Sequence, residues 1–326
     1  MKSISSKFYA LIFWRTPIGE ILSKVNDIYL HLKYYFNNNK LVDKENLKFF
    51  LVKQYHIVEK GLALPSPRPG FGKPKIKLLI QKGTVYYTNY GDCQLLGSIS
   101  TCLNDYIQFH ENIDFELDPT IKNDIKKFTS IVKNTHSGGA LTVFKSDIHL
   151  KSQQSFETFV RNRYSIRNFS EDSVNKTLIE QAISLAKYVP SVCNRQGWNA
   201  HLYSDKQTIK ELLLIQNGNG GFTDCIDKVI IVTGNIKAFS KYESNQIFTD
   251  GGLFSLNLMY SLHYLGLGTC PLNTCFPYII ESKVKELGDI PHNERLIMML
   301  AVGNLKDEFK VAISQRKPTS EILVEH

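Results

Sequence analysis

The chain has 326 residues, 43% of them hydrophobic and 21% charged, which leaves room for two modest domains and excludes a disordered composition. Six cysteines, none spaced C-x-x-C, argue against a disulfide scaffold and a zinc site, so a reducing, cytoplasmic setting is expected. The net charge of +8 lies mostly in front, with +7 in residues 1–150 and +1 in 151–326; scattered lysines suit solvated helix faces more than a nucleic acid site, with an anionic surface as the other reading.

Phe8 to Trp14 is too short to span a bilayer and is closed by Arg15. With no small-residue cleavage site behind it, neither an integral membrane segment nor a signal peptide is expected. Thr16-Pro17 opens a helix whose apolar positions run from Ile18 through Leu22, Val25, Tyr29 and Leu32 to Phe36. Asp43 is placed to cap a second helix carrying Leu47, Phe50, Leu51 and Val58, with Gly61 as its left-handed terminator. The proline-rich run Leu64–Pro74 reads as extended. Asp118-Pro119 restarts a helix with Ile121, Ile125, Phe128 and Val132 on one face. The polar, glycine-bearing stretch after Asn134 suggests a boundary near residue 150, so the mainly helical residues 1–150 are set apart from 151–326.

In the second part the polar segment Ser170–Ser173 reads as a helix start. Val174, Leu178, Ile179, Ala182, Ile183 and Ala186 follow at helical spacing, ahead of Pro190. Strands are expected at Asn199–Ser204, Lys228–Gly234 and Arg295–Gly303; the last two are apolar almost throughout, so both faces should be covered. Phe248–Leu265 is apolar on most sides, which demands burial or a subunit interface. Pro277 begins a further helix ended by Gly288. From the residues alone this part is an α/β or α+β domain.

Four segments carry chemistry. Arg161–Phe169 sets Arg163, Arg167 and the Ser165 hydroxyl in one loop, which is either a phosphate-binding set or solvated surface. Pro190–Trp198 packs amide, hydroxyl and aromatic groups into one turn, suited to the edge of a flat heterocycle or to an ordinary helix-to-strand connection. Leu265–Thr274 has glycines that admit a closely approaching ligand, but it lacks the dinucleotide fingerprint. Ser314–Pro318 either returns two cations to the first segment or is a polar tail. His56 and Glu59, three apart on a helix, read as a structural pair in preference to an acid–base pair.

In this order the segments resemble the nitroreductase family of flavoproteins. The R-x-S-x-R-x-F piece (Arg163, Ser165, Arg167, Phe169) precedes P-S-x-x-N-x-Q-x-W (Pro190, Ser191, Asn194, Gln196, Trp198). A Leu-Gly-Leu-Gly turn, the pair Val302-Gly303 and a terminal Arg316-Lys317-Pro318 follow, so the resemblance spans residues 155–326. It implies an α+β fold, an FMN-binding sheet flanked by helices, preceded here by a mainly helical region. It also implies bound FMN, NADH or NADPH as electron donor, a small-molecule acceptor and a homodimer with shared sites. By position, Arg163, Ser165 and Arg316 look like phosphate ligands and Arg167 like the cation near flavin N1 and O2. Pro190, Ser191, Cys193 and Asn194 would reach the flavin of the partner subunit. Asn219 would meet the pyrimidine edge, and the Asn273-Thr274 turn would offer an N–H to N5. Flavin N5 carries the chemistry, so no catalytic side chain and no metal are implied.

Val192 stands where the family often has a second Ser, and Thr274 where it often has Gly. These two departures support the alternative of a flavin-fold binding or regulatory protein. Glu59-Lys60-Gly61-Leu62 and Arg68-Pro69-Gly70-Phe71-Gly72 look like an extension found in longer relatives, some of them linked to surface-polysaccharide gene clusters.

Overall fold

The computed structural model describes residues 44–239, 243–276 and 278–326, together with Pro17, Ile21, Lys24, Val25 and Ile28. The first expected helix and its successor's cap, Asp43, thus fall almost wholly outside the described residues.

Four helices come first: α1 (Lys44–Leu62), α2 (Lys73–Tyr90), α3 (Gln94–Asn112) and α4 (Pro119–Ile131). Leu47, Leu51, Tyr55, Val58 and Leu62 recur along one side of α1 and bury themselves against Leu79, Leu96, Ile99, Leu103 and Phe128. Asp118 caps α4 by accepting the Thr120 N–H at 3.0 Å, with Pro119 in the first turn.

Two expectations change here. Gly61 lies inside α1 and does not end it: a Cβ there would stand 2.2 Å from Cε2 of Phe71, so the glycine makes room for a ring. The proline-rich run is cut short by α2, whose first turn accepts Pro74 because an N-terminal helical N–H has no intrahelical partner to lose. Between them, the Gly70 N–H donates to Nε2 of His110 at 2.8 Å and the Tyr106 hydroxyl donates to the Phe71 carbonyl at 2.7 Å. The two extension pieces singled out in the sequence therefore pack against each other.

Next come β1 (Ala140–Phe144), α5 (Lys145–Ser152), α6 (Phe156–Arg161), α7 (Lys176–Ala186), β2 (Trp198–Tyr203), α8 (Lys206–Ile215) and β3 (Lys228–Asn235). The chain finishes with α9 (Gln246–Tyr264), β4 (Leu267–Leu272), α10 (Tyr278–Leu287), β5 (Glu294–Asn304) and β6 (Glu308–Ala312). Strands β2-β3-β5-β4 form one antiparallel sheet. Alternation along its central strands explains their apolar runs. On β3, Val229 and Ile231 join the core with α8, while Ile230 and Val232 join the one with α7 and α9. The architecture is α+β.

The helix expected to start at Ser170–Ser173 begins instead at Lys176. Asn175 caps it, and the buried Val174 gives its N–H to Asp227 at 2.8 Å. Strand β4 replaces an expected turn: Gly268 and Pro271 disguise it, and Pro271 is tolerated where few ladder bonds are needed. Strands β1 and β6 pair antiparallel, from Ala140 opposite Ala312 to Phe144 opposite Glu308. Helix α1 packs on both, so residues before the expected boundary are joined to the end of the chain. No described helix is long and apolar enough to cross a membrane.

Gly61→Ala should destabilise the protein by about 1–3 kcal/mol, because the Phe71 ring is itself held against Tyr106 and must be displaced. Gly220→Ala, where a Cβ meets nothing within 4 Å, should not. Thermal unfolding of the two variants beside the parent checks this, and equal midpoints would refute the packing argument.

Candidate functional site

Residues 163–169 run along the free side of β4. Ser165 bridges to Thr269 in parallel, the Ile166 N–H donates to the Thr269 carbonyl at 2.8 Å, and the Ser170 N–H donates to Asn304 O at 2.9 Å. Phe169 then turns inward and is fully buried. A Cβ on Gly303 would lie 2.6 Å from its ring and one on Gly268 3.1 Å, so both glycines admit a phenylalanine. The ligand-approach reading of Gly268 is thereby corrected to packing.

Beyond β6 the chain doubles back across the same place. The result is a pocket of about 460 Å³ lined by Arg161, Arg163, Ser165 and Arg167 on one side and by Ser314, Gln315 and Arg316 on the other, with Ser137 from the helical region. The size is that of a small-molecule site. Sequence reasoning brought Arg163, Ser165, Arg167 and Arg316 together, and the structure brings the same four together.

Electrostatically the pocket is one-sided. Among the described residues no carboxylate is paired with Arg163, Arg167 or Arg316. Arg163 Nη1 is buried with no hydrogen-bond partner, and burial followed by the charge of Arg316 lowers the pKa of its guanidinium. Arg167 is only 8% exposed, which removes the solvated-surface reading of that residue; its Nη1 donates to the Ser165 carbonyl at 3.4 Å. A buried cation without an anion is costly, and an anionic group in the pocket would satisfy it. A phosphate fits this donor set, since arginines supply forked donors and serine a short neutral one.

Sequence reasoning missed how the tail is held. Gln315 accepts from the Ser98 hydroxyl at 3.0 Å and meets His136 Nε2 at 3.1 Å, while the Thr101 hydroxyl donates to the His136 carbonyl at 2.7 Å. The S-Q-R-K-P piece contained this residue, but its partners lie more than 170 positions away. His56 and Glu59 form the structural pair expected of them at 3.0 Å, and the fully buried Glu59 also takes the Gly139 N–H at 3.2 Å.

The remaining expected residues do not line this pocket. Pro190–Asn194 forms a separate turn near the start of α9, where Asp250 accepts the Val192 N–H at 3.1 Å, Ser191 accepts the Gln196 N–H at 3.0 Å, and Cys193 is exposed at φ 51°. Trp198 beyond it stacks on Phe254 at 5.1 Å. Asn219 lies in a loop of its own making. Its amide donates to the carbonyls of Leu213 and Gln216, both at 2.7 Å, and its oxygen accepts from Thr223 at 2.6 Å. The side chain is buried, its NH2 is committed to closing its own loop, and its oxygen keeps one acceptor position beside the Thr223 bond. Asn273 caps its turn by accepting the Cys275 N–H at 3.2 Å, and the Thr274 hydroxyl donates to Ile297 O at 3.0 Å.

Behind Arg163, the His263 ring lies 4.9 Å from that of Phe159 with Nε2 buried and unpartnered. Burial, reinforced by the Arg163 charge, lowers its pKa to about 4 from 6.5. The neutral ring is thus favoured in the folded state, and the stability this confers is complete above pH 6.5 and lost as pH falls toward 4. Urea unfolding between pH 7 and pH 4 should show a decline that is shallower in His263→Phe; parallel profiles would exclude His263 as its source.

A family model described as the nitroreductase family matches residues 160–218. A protein of Archaeoglobus fulgidus described as an NADH dehydrogenase/NAD(P)H nitroreductase is 24% identical over 159 residues, covering 46% of this chain and 84% of its own length. Among solved structures, an FMN-dependent nitroreductase from Clostridium difficile is 18% identical with a TM-score of 0.41, covering 45% of this chain and 86% of that one. A nitroreductase family protein from Streptococcus pneumoniae is 20% identical with a TM-score of 0.45, covering 53% of this chain and all of its own. Residues 160–218, which include the arginine loop and the Pro190–Trp198 turn, are thus similar to the nitroreductase family, with a helical region ahead of them.

Proposed function

We propose that the protein is an FMN-dependent oxidoreductase that moves electrons from NADH or NADPH to a small-molecule acceptor in a ping-pong sequence. The observation that carries this reading is the cation pocket itself, above all the buried, unpartnered Nη1 of Arg163. FMN, when bound, supplies an N5 position that takes hydride from the donor and passes two electrons on. The chain's own residues bind and orient it. Arg163, Ser165 and Arg316 hold the phosphate, and Arg167 faces the N1–O2 edge, where its charge favours reduction. Asn273 and Thr274 offer backbone toward N5, in a turn held by the Thr274 bond to Ile297. Pro190, Ser191, Cys193 and Asn194 serve the site of a second copy. Residues 151–326 form the flavin-binding domain and 1–150 its helical extension. Six unpaired cysteines suit a cytoplasmic setting.

The dimer is supported by surface. In the single chain α9 leaves Phe248, Leu253, Leu256 and Tyr264 between 40% and 47% exposed. Beside it, Phe156, Phe159, Leu185 and Tyr260 line an open groove of about 620 Å³. An apolar face of this extent on a helix calls for a partner.

Removing one charge-assisted phosphate contact costs on the order of 2 kcal/mol, more than tenfold in affinity. Arg163→Ala and Arg316→Ala should therefore purify with depleted flavin, measured by absorbance against protein; full flavin content in both would overturn the phosphate assignment. Light scattering should give a dimer for the flavin-loaded protein. A flavin-loaded monomer would contradict the shared site.

A further inference from the structure

The tail that carries Arg316 makes a turn that its own sequence does not favour. Ser314 sits at φ 50°, in the left-handed region that a residue other than glycine adopts only where its surroundings hold it there. Both neighbours of Ser314 are held from the helical region. Before it, the Ile313 N–H donates to the Gly139 carbonyl at 3.2 Å, and Gly139 gives its own N–H to the buried Glu59 of α1 at 3.2 Å. After it, Gln315 accepts from the Ser98 hydroxyl at 3.0 Å, and its amide lies 3.1 Å from Nε2 of His136. The residues that hold the tail are themselves fixed. Ser98 is buried on α3. The loop bearing His136 is tied to the same helix by Thr101 and lies so close to it that a Cβ on Gly97 would stand 2.6 Å from the Asn134 carbonyl oxygen. Arg316 depends on this turn twice, because it follows Ser314 by two residues and its guanidinium donates to the Ser314 carbonyl.

We propose that the helical region positions the phosphate end of the site: Glu59 and Gly139 on one side of Ser314, and Ser98 and His136 on the other, hold the left-handed turn that delivers Arg316 to the pocket of Arg163 and Ser165. Glu59, Ser98, His136 and Gly139 do not line that pocket, whereas Ser314, Gln315 and Arg316 do. The four are therefore positioning residues that act through the tail. The physical reason is the cost of order. Arg316 is exposed, and an arginine on a loose chain end would have to be immobilised at the moment of binding, at the expense of the contact it then makes. A turn fixed beforehand removes that expense. Because the tail meets the ligand at its phosphate, the gain belongs to a phosphorylated flavin and is absent for the same ring system without phosphate.

This inference rests on the FMN reading, and the test separates the two. Dissociation constants for FMN and for riboflavin, which lacks the phosphate, are measured by titration on the whole protein and on its Ser98→Ala and Gln315→Met variants. Loss of a positioning hydrogen bond should weaken FMN by about five- to tenfold, with riboflavin affinity unchanged. In an Arg316→Ala background neither substitution should weaken FMN further, because the residue that they position is gone. Equal weakening of both flavins, which a general loosening of the fold would give, would overturn the proposal. So would unchanged FMN binding in either variant, or a full loss persisting in the Arg316→Ala background. Each of these results leaves the flavin site standing. If Gln315→Met does not fold, Ser98→Ala carries the same measurements. A parent protein that binds neither flavin, or binds the two equally, would overturn the FMN reading and the proposal with it.

Discussion

Phe169 fills the space that Gly268 and Gly303 leave open on neighbouring strands, and the arginine loop is where it is because of that fit. The ring is fully buried, and a methyl group on Gly303 would stand 2.6 Å from it. With the ring locked in place, the preceding residues lie along β4, tied by the Ser165–Thr269 bridge and the Ile166–Thr269 hydrogen bond. Arg163 and Arg167 are then carried by backbone bonded to a sheet, not by a free surface loop. Arg163, Tyr164, Ser165 and Arg167 of this segment all line the pocket.

The same rigidity has an electrostatic consequence. Guanidinium groups on a flexible loop would separate and hydrate. Here Arg163 is desolvated with one nitrogen unpartnered, and Arg167 is nearly covered. Burial, with the charge of Arg163 beside it, also lowers the pKa of His263 to about 4, so its ring stays neutral next to the pocket. The pocket is prepared for an anion before one arrives, and a prepared site loses less to reorganisation when it binds.

How much of this was legible in the sequence depended on the range of the interaction. The central strands announced themselves by length and apolar content, and α4 by its Asp118-Pro119 start. The set of Arg163, Ser165, Arg167 and Arg316 was legible because residue type and order carry it, even though Arg316 is 153 positions from Arg163. What failed were residues whose role is set by a distant partner. Gly61 resembles a helix terminator until Phe71 is seen above it. Nothing in the sequence around Asn219 says that its amide also closes its own loop. Strand β4 contains a glycine and a proline in six residues, and its identity comes from β5 beside it. Gln315 sat within a piece already singled out, but nothing local says what it faces.

The contacts of Gln315 change what the helical region is. As a separate appendage it would need only its own core, which Leu51, Ile99, Leu103 and Phe128 supply. Instead β1 pairs with β6 and α1 lies on that ribbon. Ser98 and His136 grip Gln315, one residue before Arg316. Gly138 lies so close to α3 that a Cβ would meet the Ser98 carbonyl at 2.2 Å, so the loop bearing His136 and Ser137 is pressed against the helix that grips the tail. Each contact joins the helices to a segment that carries or adjoins a pocket cation. A pocket assembled this way joins both parts of the chain: Ser98 of α3 and His136 hold the segment that carries Arg316, while Arg163 and Arg167 lie on the segment tied to the sheet. The sheet therefore fixes one wall of the cation pocket, and the helical region fixes the tail that forms the other.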